Sequence, residues 1–480
     1  MEIFFQNKQF LTLNFYIKKG NTMKKYDIVI IGEDTAGLVT AITAQNEYSD
    51  KSILVIKADE KGQILCGIPY MFHELANLNK NSMHSKAFVD GGGDLLIDTV
   101  IDVDTKKQIL TVSSQDKISY NKLVLATGSI PTVPNFIEGF DSKYFELISK
   151  SHSAMERLKE KINKACRIIV LGSGFTAVEI AEQLALKAGK EINLIFRSEN
   201  CLHRTFSSEF ATAVNQQLTN SGVILHSKSL VKEIACNNRE RKVILESGDI
   251  VEGDMIIAAL GFSANFDLAL SAGIHVNDNG QVVVDNYQRT NIKNIFAVGD
   301  CAQITGFITG RNDNIMLDST ATVKARVLGY NLFKIRIKHS FPGTLSVFVT
   351  EINKTVFASV GVIEQEAKRA NISYITSTFK DIDRRPETFS DTRGLTVKLV
   401  VMPENGQIIG GEVVGSKSSA EIINIIALAI QKYVTVYELI SFHFGSHLLL
   451  NEDPTKTVLI KAAENAICQM SLSCQYQSDG

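Results

Sequence analysis

Along residues 24–47 the apolar positions first run together and then space out. Residues 28–31 are an unbroken Ile-Val-Ile-Ile run, a glycine-bearing turn follows at 32–37, and apolar residues then recur at helical intervals through TAGLVTAITAQN. A continuous run offers no polar face to water, so it predicts a strand covered on both sides, and the sequel predicts a helix returning over it. KSILVIKADE reads as a second strand. LLIDTVIDVDTKKQILTVSS reads as two strands around an Asp-Lys-Lys turn, and YNKLVLATGSIPTVP as a buried strand running into Ala126, Thr127, Gly128 and Ser129. Residues 168–182, IIVLGSGFTAVEIAE, repeat the opening strand, glycine turn and helix, EINLIFRSEN supplies the next strand, and MIIAALGF closes that unit. A repeated strand–turn–helix unit is more specific than either copy and predicts two nucleotide sites on one chain. TNIKNIFAVGDCA then sets Gly299 and Asp300 straight after a strand. Beyond about residue 340 the pattern becomes alternating strands with polar or Asn-Gly turns, plus a strongly apolar helix, SAEIINIIALAIQKY, which suggests a subunit interface.

Composition bounds this picture without changing it. The chain has 480 residues, enough for about three domains at roughly 150 residues each. A formal net charge of -2 gives no support for nucleic acid or a membrane surface as partner. The longest apolar runs fall short of the roughly 18 residues that a membrane span needs. The seven cysteines, at 66, 166, 201, 236, 301, 468 and 474, lack paired CxxC spacing, so neither a disulfide framework nor a metal site is expected, and a reducing cytoplasm fits them. Residues 1–22 precede Met23 and KKYDIVIIG, where the first strand begins, and are read as an extension outside the fold.

The candidate chemistry gathers around two turns and one thiol. The turn Gly32-Glu33-Asp34-Thr35-Ala36-Gly37 keeps the first and third glycines of G-x-G-x-x-G, with Asp34 in the second place, and opens a helix whose N-terminus can hold a diphosphate. The second strand normally ends on an acidic residue that binds a ribose. Here Lys57 stands there, leaving Asp59 or Glu60 to reach the sugar. In the repeat the equivalent place holds Phe196, followed by Arg197 and later Arg204, cations suited to a ribose 2'-phosphate and therefore to NADPH over NADH. Between the two units lies GQILCGIPY. Gly67 is expected to let the backbone approach a flat ligand, Pro69 and Tyr70 to stiffen and cover the turn, and a helix N-terminus at Cys66 to lower the thiol pKa.

In this order and spacing GEDTAG, ATGS, GSGFTA, AALGF and AVGDCA resemble the signatures of the pyridine nucleotide-disulfide oxidoreductases, over residues 24–465. The resemblance implies an α/β fold with two Rossmann-like FAD/NAD(P)-binding domains plus a C-terminal α+β dimerisation domain. Residues 23–145 and 265–338 would bind FAD, 146–264 NAD(P)H, and 339–480 would form a homodimer that completes each active site, with 1–22 as N-terminal extension. It carries FAD contacts over to Gly32, Asp34, Gly37, Val100, Thr127, Gly128 and Asp300, and nicotinamide nucleotide contacts to Gly172, Gly174, Ala177, Arg197 and Arg204, with Glu179 behind the nicotinamide. Paired-cysteine members carry C-x-x-x-x-C. Lys61 occupies the first of those places, so CGIPY resembles the single-cysteine branch, which includes coenzyme A-disulfide reductases, persulfide reductases and NADH oxidases or peroxidases.

The implied activity carries electrons from NAD(P)H, NADPH favoured, through FAD to Cys66 and on to a small-molecule disulfide or persulfide, in a cytoplasmic homodimer with no metal, nucleic-acid or membrane partner. Two alternatives stand beside it. One is an NAD(P)H oxidase or peroxidase using a Cys66 sulfenic acid, the other a flavin-binding redox sensor or degenerate homologue. His447 and Glu452 have the spacing of the acid/base dyad of the paired-cysteine reductases, with Leu448 and Leu449 where Pro and Thr are usual, whereas the coenzyme A-disulfide branch is expected to use tyrosines. Some relatives ferry electrons through a C-terminal cysteine pair, but the five-residue gap between Cys468 and Cys474 and their polar flanks read instead as incidental cysteines.

Overall fold

The structure, a computed structural model, describes residues 23–75, 77–133, 137, 144–236, 240–338, 340–384 and 392–478, without the side chains of residues 78 and 473–478. The expected extension at 1–22 and the side chain of Cys474 therefore lie outside the described residues.

The apolar run at 28–31 forms the end of the strand Lys24–Ile31, which pairs in parallel with Ile53–Lys57 on one side and Lys117–Leu125 on the other. Alternate side chains serve opposite cores. Ile28 and Ile30 pack towards the helix Thr35–Glu47, while Val29 and Ile31 join the cluster on the other face. Both faces are covered, which is why the strand reads as continuous rather than alternating. Asp94–Ile97 pairs beyond Ile53–Lys57, Ile295–Ala297 pairs with Lys117–Leu125, and the expected strand pair around Asp-Lys-Lys is the antiparallel Val100–Asp104 and Ile109–Val112, completing a seven-stranded sheet. The helix Asp318–Asn331 packs beside Thr35–Glu47 on the same face.

The repeat unit builds a second sheet of five parallel strands, ordered Phe145–Leu147, Met255–Ala258, Arg167–Leu171, Glu191–Ile195 and Val223–His226. An antiparallel pair, Ser129–Pro131 with Phe262–Ala264, ties the two units where the chain crosses between them. The third sheet is antiparallel, ordered Phe348–Ile352, Thr355–Gly361, Ile408–Gly415, Gly394–Val401 and Ile375–Ile382, with Asn405 and Gly406 in the turn between two of its strands. The apolar helix Ser419–Gln431 buries Ile423, Ile426 and Ile430 against it and leaves Leu428 exposed. Among the described residues no helix is long and apolar enough to cross a membrane.

Candidate active site

The first glycine turn packs backbone directly against backbone. Gly32 has φ of +110°, and a Cβ there would lie 2.1 Å from the Ala126 carbonyl oxygen; at Gly172, with φ of +133°, it would lie 2.3 Å from that of Ala259. Both turns thus require glycine twice over, for the left-handed backbone and for the close approach. Asp34 follows, and burial raises its carboxyl pKa against the pull of Lys150. Lys150 donates to Ser129 Oγ at 2.7 Å and to Asp300 Oδ2 at 2.9 Å, and Ser129 Oγ donates to the same Asp300 oxygen at 2.8 Å. Thr127 Oγ1 donates to the Asn265 carbonyl at 2.7 Å, and the Asn265 amide donates to the Gly128 carbonyl, which joins ATGS to the crossover strand. Val100, by contrast, packs in the core below the sheet. A dinucleotide fits this arrangement. No side chain stands at Gly32 or Gly37, and the helix Thr35–Glu47 opens on the turn, so its N-terminal amides suit a diphosphate.

Cys66 lies on a 3-10 turn, Leu65–Gly67, followed by a second, Pro69–Phe72, rather than at the N-terminus of a full helix. A three-residue turn carries little macrodipole. The residue reaches the surface, but the protein crowded around its sulfur raises the thiol pKa rather than lowering it, burial first and then the Asp318 carboxylate, with Glu179 adding to both. Asp318 starts the helix Asp318–Asn331 and shares a hydrogen bond with the Cys66 side chain. The Asp318 carboxyl is itself raised by burial and by Asp300. The expectation for Gly67 also changes. A Cβ at Gly67 would lie 1.9 Å from Asn81 Oδ1, and Asn81 Nδ2 donates to the Ile64 carbonyl at 3.0 Å, so this glycine admits the residue that staples the turn.

Ile68, Met71 and Phe72 sink into the core that also holds Val178 and Ala181, which fixes the thiol turn on the helix Phe175–Ala185. That helix carries Glu179, whose removal from water pushes its carboxyl up to about 7 even though Thr350 Oγ1 donates to Oε1 at 2.8 Å. Tyr70 is raised by burial and by Glu179 and Glu182, and its side chain also hydrogen-bonds Thr350. Phe175 stacks on Phe348 with centroids 5.1 Å apart, so a residue of the third sheet lies against the opening turn of this helix. Gly174 has open space where a side chain would stand, and Ala177 is fully buried. Arg197 and Arg204 are exposed at the end of their strand. Arg204 lines a cavity of about 430 Å³ together with Arg311 and Arg369.

His447 and Glu452 are not brought together among the described residues. His447 Nδ1 accepts from the Leu449 amide within its own exposed turn. Glu452 accepts from the Val458 amide, capping the last helix, and burial raises its carboxyl pKa. Cys468 is exposed on that helix. Sequence reasoning gave no site role to Ser129, Lys150, Asn265, Asp318 or Thr350, whose long-range partners lie between 138 (Thr127 to Asn265) and 318 − 66 = 252 (Cys66 to Asp318) residues away. Only Asp318 had a linear signal, an acidic residue opening an apolar helical run.

Residues 26–325 match the family model described as pyridine nucleotide-disulphide oxidoreductase, and residues 349–458 match its dimerisation domain. The chain is 29% identical over 404 residues, 82% of it and 89% of the relative, to an NAD(P)H sulfur oxidoreductase (CoA-dependent) of Pyrococcus furiosus. It is 31% identical over 429 residues, 86% of it and 94% of the relative, to an NADH oxidase of Lactococcus lactis subsp. cremoris. A solved structure of an engineered water-forming NADPH oxidase bound to NADPH, a mutant of the Lactobacillus brevis enzyme, superposes with a TM-score of 0.85 at 25% identity, covering 94% of this chain and 100% of the other. The two motif-bearing sheets, the cradle and the lone thiol between them agree with these matches, and the chain belongs to the pyridine nucleotide-disulphide oxidoreductase family, whose members are NAD(P)H-dependent flavoprotein oxidoreductases binding FAD.

Proposed function

We propose that this chain is an NADPH-dependent reductase of small disulfides or persulfides in which Cys66 exchanges sulfur with the substrate. The observation that carries this reading is an exposed cysteine with no second cysteine bonded to it among the described residues, on a turn between the two glycine motifs in the chain. FAD, when bound, accepts hydride from the nicotinamide and delivers two electrons to sulfur. The chain's own residues do the rest. Cys66 passes its proton to the Asp318 carboxylate with which it shares a hydrogen bond and attacks one sulfur of the substrate as thiolate; the S–S bond breaks, and Asp318 returns that proton to the departing thiolate. Two electrons then split the mixed disulfide, releasing the second thiolate and restoring Cys66, so that NADPH, one proton and RSSR' give NADP+, RSH and R'SH. The relative from Pyrococcus furiosus supports a sulfur acceptor.

The Lactococcus relative favours a second reading, in which a peroxide oxidises Cys66 to a sulfenic acid with loss of water. NADPH preference is supported by Phe196, Arg197 and Ser198. In the engineered NADPH oxidase an aspartate is replaced by alanine and the next two residues become arginine and serine. Glu179 and Tyr70 would flank the nicotinamide, and His447 would act from the dimer face. The domain bounds 23–145 with 265–338, 146–264 and 339–480 remain the working division. The dimerisation-domain match and the exposed Leu428, Tyr437, Phe442, Leu449 and Leu450 support a homodimer. Six free cysteines among the described residues suit the cytoplasm.

Steady-state turnover of the FAD-loaded chain with coenzyme A disulfide, glutathione disulfide and a persulfide, driven by NADPH or NADH, tests this. Turnover with at least one sulfur acceptor, faster with NADPH, is expected. Turnover with O2 or H2O2 alone would shift the assignment to the second reading.

A further inference from the structure

Three arginines from distant stretches of the chain line one cavity of about 430 Å³, a size within the roughly 300–1,000 Å³ of ligand clefts. Arg204 lies on the loop after the strand Glu191–Ile195, and the Leu202 amide of that loop donates to the Ser173 carbonyl at 2.9 Å, which sets the loop beside the second glycine turn. Arg369 stands in the last turn of the helix Glu364–Ala370, which follows the strand Thr355–Gly361 of the third sheet. Arg311 lies between the short strands Ile304–Thr305 and Asn312–Asp313, and its Nη1 donates to the Arg369 carbonyl at 3.1 Å. Phe348, stacked on Phe175 next to Gly174, also lines the cavity, so the cavity adjoins the glycine turn. All three arginines are exposed, and none forms an ion pair with a carboxylate among the described residues. His203 registers the same convergence: burial lowers its imidazole pKa first, then Arg204, with Arg197 and Arg369 adding. Asp313 and Glu366 share the cavity wall, and burial raises both carboxyls, which favours their uncharged forms. Guanidiniums gathered without carboxylate partners repel one another until an anion joins them.

We propose that Arg369, reaching from the third sheet's side, completes with Arg204 the site for the ribose 2'-phosphate of NADPH, and that Arg311 positions it. This rests on the NADPH reading. The phosphate carries roughly -1.5 to -2 charge at neutral pH, and its oxygens match the planar guanidinium fork. Nucleotide specificity would then belong to two units, with the phosphate bridging them.

Calorimetric titration of the FAD-loaded chain with 2',5'-ADP, which carries the 2'-phosphate, and with 5'-AMP, which lacks it, isolates that contact. The wild type should prefer 2',5'-ADP. Arg369→Ala should weaken 2',5'-ADP by roughly 10- to 100-fold, the loss of one hydrogen bond between charged groups, and leave 5'-AMP within about two-fold. Arg369→Lys, which keeps the charge without the fork, should fall between, and Arg311→Ala should act in the same direction but less. In turnover, the KM for NADPH should rise in Arg369→Ala while that for NADH holds. Because Arg369 is exposed, the variant should fold like the wild type. Unchanged 2',5'-ADP affinity in Arg369→Ala, or equal weakening of both nucleotides, overturns the proposal. So does a KM rise confined to coenzyme A disulfide, which would give the arginine to that substrate's phosphates. A wild type that binds both nucleotides equally overturns the NADPH reading, and the proposal with it.

Discussion

At the scale of single residues the account turns on the environment of one sulfur. Burial and the Asp318 carboxylate both hold the Cys66 thiol above its ordinary pKa, so the resting side chain is more protonated at neutral pH than a free cysteine. Asp318→Asn removes the charge and should lower the thiol pKa. Alkylation of Cys66 at pH 7 should then rise, read by mass spectrometry of the iodoacetamide adduct. Unchanged or slower alkylation would show that burial alone sets the thiol. Cys66 itself was legible, because a lone cysteine between two glycine turns stands out in linear sequence. Its electrostatics were not. A helix N-terminus at Cys66 would acidify the thiol, yet the element is a three-residue turn, and the strongest charge acting on it, Asp318, lies about 250 positions away in the chain. Lys57 was legible as an oddity, but its partner Glu33 lies 24 residues earlier and emerges only when two parallel strands set their ends side by side.

At the scale of elements, the thiol turn is positioned by what lies beneath it. Phe72 is 2% exposed in the core shared with the helix Phe175–Ala185. The Glu74 amide donates to Gln183 Oε1 at 3.0 Å, fastening the same two elements. Phe72→Ala should therefore cost about 3–5 kcal/mol of stability, measured by denaturant unfolding, and should also slow disulfide turnover, since this packing positions the turn that carries Cys66. Full turnover in a variant destabilised to that extent would mean the turn is fixed in some other way. The strands and their order could be read from apolar runs and turn residues, because fully covered parallel strands leave an unmistakable continuous pattern. The short 3-10 turns at 65–72 could not. They follow no period, and their shape comes from Asn81 and from the helix they rest on.

At the scale of the whole molecule, the second nucleotide unit and the third sheet are joined by buried charge. The Ser207 amide donates to Glu412 Oε1 at 2.7 Å, and Lys398 bridges Glu209 and Glu364. Glu412 has no exposed surface, and burial pushes its carboxyl up to about 7. A carboxyl whose folded pKa exceeds its unfolded value contributes stability that is complete below about 4.5, the unfolded value, and is lost as pH rises through about 7. Glu412→Gln keeps an acceptor for Ser207 and cannot ionise. The variant should gain on wild type between pH 5 and 8, by a difference on the order of 3 kcal/mol, seen as a flatter pH dependence of the unfolding midpoint; parallel profiles would remove Glu412 from the pH response. The three-part architecture was legible because the motifs recur in order, whereas the contacts between the parts, Glu412 with Ser207 and Glu179 with Thr350, involve residues with no shared local pattern.

The central claim is that electrons leave the protein through Cys66. It is tested most directly by reducing the FAD-loaded chain with NADPH under anaerobic conditions, mixing it with coenzyme A disulfide or a persulfide, and following flavin reoxidation in wild type and Cys66→Ser. Rapid reoxidation of the wild type and none by sulfur acceptors in Cys66→Ser is the predicted result. Equal reoxidation of both proteins would contradict a cysteine-centred mechanism.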